Sequence, residues 1–262
     1  DHVMAQLRGQ GMLLIDDPVQ AEKGDSVLLR AHGVGREVYE ALGTRGAAVV
    51  DATCPKVARV HKIVSQADEA GRRCVMIGDP GHPEVQGVAG WCRNLLVFRG
   101  PEEVEQWLSV TPEVVNLPLT VVAQTTLIRD IWESSLNFLK KQCTNLKIFD
   151  TMCSATHIRQ TEAAEIAAKV DVMVVVGDPK SANTKHLTDI CRQHCSRVFQ
   201  IESADELPRQ ALSGCSVVGL TAGASTPASI IKEVKKTMSE EKILNGTVDN
   251  SENGENFAEM VE

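Results

Sequence analysis

Ten short apolar runs punctuate the chain: MLLI, SVLLRA, AAVVDA, RCVMIG, NLLVF, LTVVAQ, LKIF, DVMVVVG, RVFQI and CSVVGL. Segments with apolar residues at helical spacing separate them. Runs that stay apolar without alternating read as strands buried on both faces, and strand–helix alternation predicts an α/β protein with parallel sheets. Ten strands ahead of residue 238 stand too close together for one doubly wound sheet with a full crossover helix in every connection. The pattern therefore predicts several small α/β units.

Internal repeats sharpen this. VVDATCPKVARVHKIV (49–64) and IFDTMCSATHIRQTEA (148–163) share a strand, an Asp, two residues, a Cys and a helix, so Cys54 and Cys153 hold equivalent places. LLRAHGVGREVYEAL, VMIGDPGHPEVQGVAG and VVVGDPKSANTKHLTDI each run from a buried strand through a short polar loop. Ligands of open α/β sheets bind at the carboxyl ends of strands, so a threefold arrangement would aim His32, His82 and the Ser181–Asn183 loop at one centre.

Composition narrows the function classes. The chain has 262 residues, 43% of them hydrophobic and 24% charged, enough for a sizeable core. A net charge of -8 and 3% aromatic residues exclude a broad basic face or a stacking platform for nucleic acid within this chain. From Ser239 onward seven acidic residues face only Lys242, so 239–262 reads as an acidic, disordered linker and the body is nearly neutral. With no apolar run near roughly twenty residues and no basic-then-apolar leader, the expectation is no membrane span, no secretory signal and a cytoplasmic protein. Asp1 opens directly on a helical pattern, Val3, Met4 and Leu7, without a cap, which suggests a fragment. Eight scattered cysteines in such a chain read as reduced thiols rather than a disulfide framework.

Cys54 precedes Pro55 and Cys153 opens a helix pattern. A helix N-terminus favours thiolate, the form that ligates iron–sulfur clusters or zinc. Each is otherwise a small buried hydrophobe, and the matched motif favours ligation. Cys74, Cys92, Cys143 and Cys215 read as structural, while Cys191 and Cys195, beside His194, lack partner ligands and read as packing or free thiols. His32, His82, Ser181, Asn183 and Ser225 make a polar set suited to a phosphate or diphosphate. His61, His157, His186 and His194 fall on helices and read as solvent-facing. Thr125, after LTVV, is a strand-end hydroxyl or a cap for the segment beginning near Leu127. Glu84 is a surface carboxylate or, two residues after His82, a proton donor in the same pocket.

AHGV, DATCP, GHPEVQG, AQTTL, the Cys153-Ser-Ala-Thr segment, KSANTKHL and TAGASTP occur in one order over residues 1–238. Together they resemble the iron–sulfur 4-hydroxy-3-methylbut-2-enyl diphosphate reductase family, IspH or LytB. The resemblance implies a trefoil of three small α/β domains in pseudo-threefold array about a central 4Fe–4S cluster: an incomplete first domain at 1–54, a second at 55–150, a third at 151–226, and a helix at 227–238 packing back on the first. It makes Cys54 and Cys153 cluster ligands, with the open fourth iron taking the substrate's hydroxyl oxygen. His32, His82, Ser181, Asn183 and Ser225 then hold the diphosphate, and Thr125, itself also at the substrate, delivers protons with Glu84.

The implied reaction is reductive dehydration of an allylic alcohol diphosphate to isopentenyl and dimethylallyl diphosphates, the last step of the methylerythritol phosphate route of isoprenoid biosynthesis. Ferredoxin or flavodoxin would supply the electrons. The family's first cluster cysteine and first diphosphate-binding histidine lie upstream of Asp1, so the chain as written is expected to hold no stable cluster and to show little turnover. Ala182 stands where many relatives have a second serine, at a cost of about 0.5–1.5 kcal/mol for one hydrogen bond. The acidic tail resembles the linker of relatives fused to ribosomal-type OB-fold RNA-binding repeats. The competing readings are an iron–sulfur hydro-lyase, which needs no external electrons, and a non-catalytic metal-sensing or RNA-tethered scaffold.

Overall fold

The computed structural model describes residues 2–244, in two compact units, Asp1–Glu162 and Ala163–Glu262. In the first, α1 (His2–Gly9) precedes β1 (Ser26–Leu29), α2 (Arg36–Arg45) and β2 (Ala48–Asp51). These two strands pair in parallel, Ser26 opposite Ala48. Then follow α3 (Pro55–Glu69), β3 (Arg73–Ile77), α4 (Pro83–Ala89), β4 (Leu95–Phe98), α5 (Pro101–Val110), β5 (Leu119–Ala123), α6 (Arg129–Gln142), β6 (Leu146–Ile148) and α7 (Ser154–Ala167), whose last turn belongs to the second unit. The second sheet runs in the order β4-β3-β5-β6, all parallel.

The second unit holds β7 (Val172–Val176), α8 (Ala182–His194), β8 (Val198–Ile201), α9 (Arg209–Leu212), β9 (Val218–Ala222) and α10 (Ala228–Leu244). Its parallel sheet has the order β8-β7-β9. The architecture is thus the expected α/β class with small parallel sheets.

The unbroken apolar runs are explained by helices on both faces of the central strands. Val75, Ile77, Val121 and Ala123 face Val104, Leu108, Trp132, Leu136 and Leu139 of α5 and α6. Cys74, Met76 and Val122, on the opposite pleat, meet Val60 and Val64 of α3 and Val85 and Val88 of α4. In the second unit Met173 and Val175 pack on Ala163, Ala167, Leu187 and Cys191, while Val174 and Val176 pack on Ile201, Ile230 and Val234. Each fully buried Val or Leu contributes about 1.5–3 kcal/mol, so these strands are the most strongly anchored backbone in the chain.

Two expectations are corrected. The run MLLI forms no strand: it is coil with Leu13 88% exposed, and it pairs with neither strand of the β1–β2 sheet. The helix read at 227–238 lies within α10, whose Ile230 and Val234 pack with Val174 and Val176 of β7 and with Leu212 of α9. The acidic stretch read as a linker from Ser239 is helical as far as Leu244. Its remainder, with the proposed fusion to RNA-binding repeats, lies outside the described residues.

Candidate active site

The two Asp-x-x-Cys elements have the same local construction. Asp51 Oδ1 accepts from the Thr53 N–H at 2.9 Å and Asp150 Oδ1 from the Met152 N–H at 3.1 Å, turning the chain from the strand end toward a helix. Cys54 is the N-cap of α3 with Pro55 in the first turn, and Cys153 immediately precedes α7, its carbonyl accepting from the His157 N–H at 3.0 Å. Each cysteine N–H donates to the carbonyl of a neighbouring strand-end loop, Cys54 to Ala31 at 3.0 Å and Cys153 to Thr125 at 2.8 Å. Both thiols are half-buried. Cys74, Cys143, Cys191 and Cys195 are buried in the cores, and Cys215 Sγ lies against Ala211 O at 3.2 Å.

The Gly-Asp-Pro loops after β3 and β7 also match. Asp79 Oδ1 takes the Gly81 N–H at 3.0 Å and Asp178 Oδ1 takes the Lys180 N–H at 2.7 Å. The Asp79 and Asp178 carbonyls accept from His82 and Ser181 at 2.9 and 3.0 Å. His82 and Ser181 are therefore equivalent helix N-caps, of α4 and α8. Glu84 and Asn183, each two residues further on, are both buried.

The first unit joins His32, His82, Glu84, Thr125 and Cys153 into one connected set. The imidazoles of His32 and His82 meet edge to face with centroids 5.4 Å apart. His82 Nδ1 accepts the Glu84 N–H at 3.1 Å, which selects the tautomer carrying its proton on Nε2. Glu84 is 1% exposed, so the surface-carboxylate reading is discarded. Its Oε1 accepts the Thr125 N–H at 2.8 Å and its Oε2 the Thr125 hydroxyl at 2.6 Å. Burial pushes the Glu84 carboxyl above its ordinary value, and the two Thr125 bonds oppose this only in part. Partial burial, and then the charge of Arg30, lower His32.

Thr125 is not a helix cap: α6 begins later, with Ile128 at its N-cap, and the hydroxyl is committed to Glu84. Gln124, which sequence reasoning assigned no role, steadies the same loops. Its Oε1 accepts the Asp79 N–H at 2.9 Å and its Nε2 donates to Thr126 at 3.1 Å. A long polar side chain directly after the buried run LTVVA is the signal that marks it.

In the second unit, Ser181 Oγ accepts the Thr184 N–H at 3.4 Å. Asn183 is 7% exposed, and neither its Oδ1 nor its Nδ2 has a hydrogen-bond partner among the described residues. A buried amide in that state costs about 1–3 kcal/mol unless a ligand or water satisfies it, so the pair is built to receive something polar. Ser225 lies exposed on the loop after β9.

One histidine is misplaced by the sequence reading. His157 and His194 are exposed as expected and His186 is half-buried, but His61 is 4% exposed and stacks on Trp91, centroids 4.9 Å apart and rings 15° from parallel. Burial lowers it to about 4, with Asp51 pulling the other way. Because its native value lies below the ordinary 6.5, the unfolded chain binds more protons between those values, so the stability linked to neutral His61 is full above pH 6.5 and is lost as pH falls toward 4. Urea titrations at pH 7 and pH 5 should show a smaller drop in midpoint for His61→Gln than for the native chain; equal drops would disprove this.

Cys54 and Cys153 are ligands of the right kind for an iron–sulfur cluster: soft, at helix starts and half-buried. They are two thiols, however, and among the described residues no group of three His, Cys, Asp or Glu side chains is placed to hold a metal ion. The described residues thus do not complete a cluster site. No described helix is long and apolar enough to cross a membrane.

Parallel sheets whose strand ends carry paired imidazoles, a buried carboxyl clamped by a threonine, and an unsatisfied asparagine define the class of α/β enzymes that act on a small polar substrate. The comparisons with known proteins specify the class. The chain belongs to the LytB protein family, whose model matches residues 1–239. It is 39% identical over 239 residues to the 4-hydroxy-3-methylbut-2-enyl diphosphate reductase of Caldanaerobacter subterraneus subsp. tengcongensis, covering 88% of this chain and 80% of that one. Among solved structures it resembles (E)-4-hydroxy-3-methyl-but-2-enyl diphosphate reductase, the terminal enzyme of the non-mevalonate pathway, with 32% identity, a TM-score of 0.66 and coverage of 91% of this chain and 84% of that chain. It also resembles the E-1-hydroxy-2-methyl-but-2-enyl-4-diphosphate reductase from Plasmodium falciparum, with 26% identity, a TM-score of 0.81 and coverage of 90% and 74%.

Proposed function

We propose that the chain carries the substrate and proton-handling residues of a cytoplasmic 4-hydroxy-3-methylbut-2-enyl diphosphate reductase. The carbon–oxygen bond of the allylic alcohol breaks, a carbon–hydrogen bond forms, and the hydroxyl leaves as water. Two protons and two electrons are consumed, the electrons coming from ferredoxin or flavodoxin. The products are isopentenyl and dimethylallyl diphosphates. The observation that carries this reading is the buried Glu84 held on both oxygens by Thr125, with Cys153 hydrogen-bonded to the Thr125 carbonyl.

A carboxyl raised by burial keeps a proton at neutral pH better than an exposed one, and its 2.6 Å contact with the Thr125 hydroxyl is a short route for passing that proton on. His32 and His82 offer N–H groups to the diphosphate, and in the second unit Ser181 and Ser225 offer hydroxyls and Asn183 an amide suited to the same anion. Cys54 and Cys153 would supply two of the thiolates of a 4Fe–4S cluster, and among the described residues no third ligand is grouped with them.

The test is anaerobic reconstitution with iron and sulfide quantitation, on this chain and on a version preceded by the family's upstream segment with its Cys and His. A cluster, and product formation that requires reduced methyl viologen, are expected in the extended version, with little of either in the chain alone. Dehydration without a reductant would establish the hydro-lyase instead, and an extended version with a cluster but no turnover would leave the scaffold. Full iron content in the chain alone would overturn the assignment of the third ligand.

A further inference from the structure

His61 and Trp91 take no part in the proposed reaction, yet they grip the loop that carries His32. Gly33, next in the chain to His32, has φ +71, and a Cβ there would lie 2.5 Å from His61 Cε1 and 3.0 Å from His61 Nε2. The imidazole thus rests directly on the glycine backbone. Trp91, stacked on that imidazole, donates its indole N–H to the Val34 carbonyl at 2.9 Å. The Arg36 guanidinium lies 5.2 Å above the indole and donates to Ser65 of α3 at 2.9 Å. From α4, a Cβ on Gly87 would meet the Gly33 carbonyl at 3.1 Å.

Residues 32–36 are therefore held between α3 and the α4–β4 connection at successive positions, by ring packing at 33 and by a hydrogen bond at 34. Freedom in that loop would be paid directly at His32, whose edge-to-face contact with His82 needs the imidazole in one place. We propose that the His61–Trp91 stack is a positioning pair: it fixes the Gly33–Val34 backbone and so sets His32 against His82 for anion binding. This rests on reading His32 and His82 as diphosphate ligands.

Two readouts on the native chain separate the claims: binding of inorganic diphosphate by calorimetry, and the His32 imidazole resonances by NMR. His61→Ala and Trp91→Phe are each expected to weaken diphosphate about tenfold and to shift the His32 signal and its contact with the His82 ring. Trp91→Phe keeps an aromatic ring on His61 and removes only the donor to Val34, so it decides the matter if His61→Ala does not fold. Gly33→Ala is expected to bind more weakly than either, and adding His61→Ala to it should recover part of the loss, since the ring the new methyl strikes is gone. Unchanged His32 signals in both His61→Ala and Trp91→Phe would overturn the proposal. If the native chain does not bind diphosphate, the ligand reading fails, and the His32 signals still decide whether the pair positions that residue.

Discussion

Glu84→Gln is expected to lower turnover by a factor of about 10²–10⁴ while the protein stays folded. The substitution is nearly isosteric. The amide oxygen can keep the Thr125 N–H, and the amide N–H can donate to the Thr125 hydroxyl, so neither buried partner is stranded. What is lost is the exchangeable proton in a site from which water is largely excluded. The sign of the accompanying pH effect is fixed by the raised carboxyl: its stabilising contribution is present below the ordinary value of 4.5 and is lost as pH rises through the higher native value. The native chain should therefore lose stability relative to Glu84→Gln as pH rises above 4.5. Steady-state turnover of the reconstituted enzyme and urea titrations across pH check both parts. Near-native turnover in the variant would remove Glu84 from proton delivery.

Gly90→Ala is expected to cost about 1–3 kcal/mol and to lower thermal stability by several degrees. The backbone at Gly90, φ -73 and ψ 0, suits alanine, so conformational preference alone predicts a small gain. Packing reverses the sign: the added Cβ would sit 2.5 Å from the Gly35 Cα and 2.6 Å from a Glu37 carboxylate oxygen. The carboxylate can swing away, but the Gly35 backbone cannot move without disturbing the His32 loop. Diphosphate binding should weaken with stability. Gly43, inside α2 with nothing within 4 Å of its would-be Cβ, is the control, and Gly43→Ala should stabilise by about 0.5–1 kcal/mol. Denaturation midpoints of the two variants moving in the same direction would refute the packing argument.

The sequence by itself determined what depends on near neighbours along the chain. VMVVV and LTVVA read as strands covered on both faces, because the runs are short, rich in β-branched residues and bounded by polar turns. Asp51 and Asp150 had to turn the chain into helices, since their bonds reach only two residues ahead, and with them Cys54 and Cys153 were placed at helix starts. The matched loops after β3 and β7 were legible for the same reason.

Tertiary structure alone decided which of these local features meet. Glu84 read equally well as a surface carboxylate until the loop after β5 brought Thr125 onto it, and MLLI read as a strand although it joins no sheet. His61 was the instructive miss. It continues the stripe Val57, Val60 and Val64 on α3, a helical period that marks a buried face, but a histidine there is buried only if its ring finds suitable surfaces. Those surfaces are Gly33 and Trp91, far from it in sequence, and only the packing of α3 against both brings them to the ring.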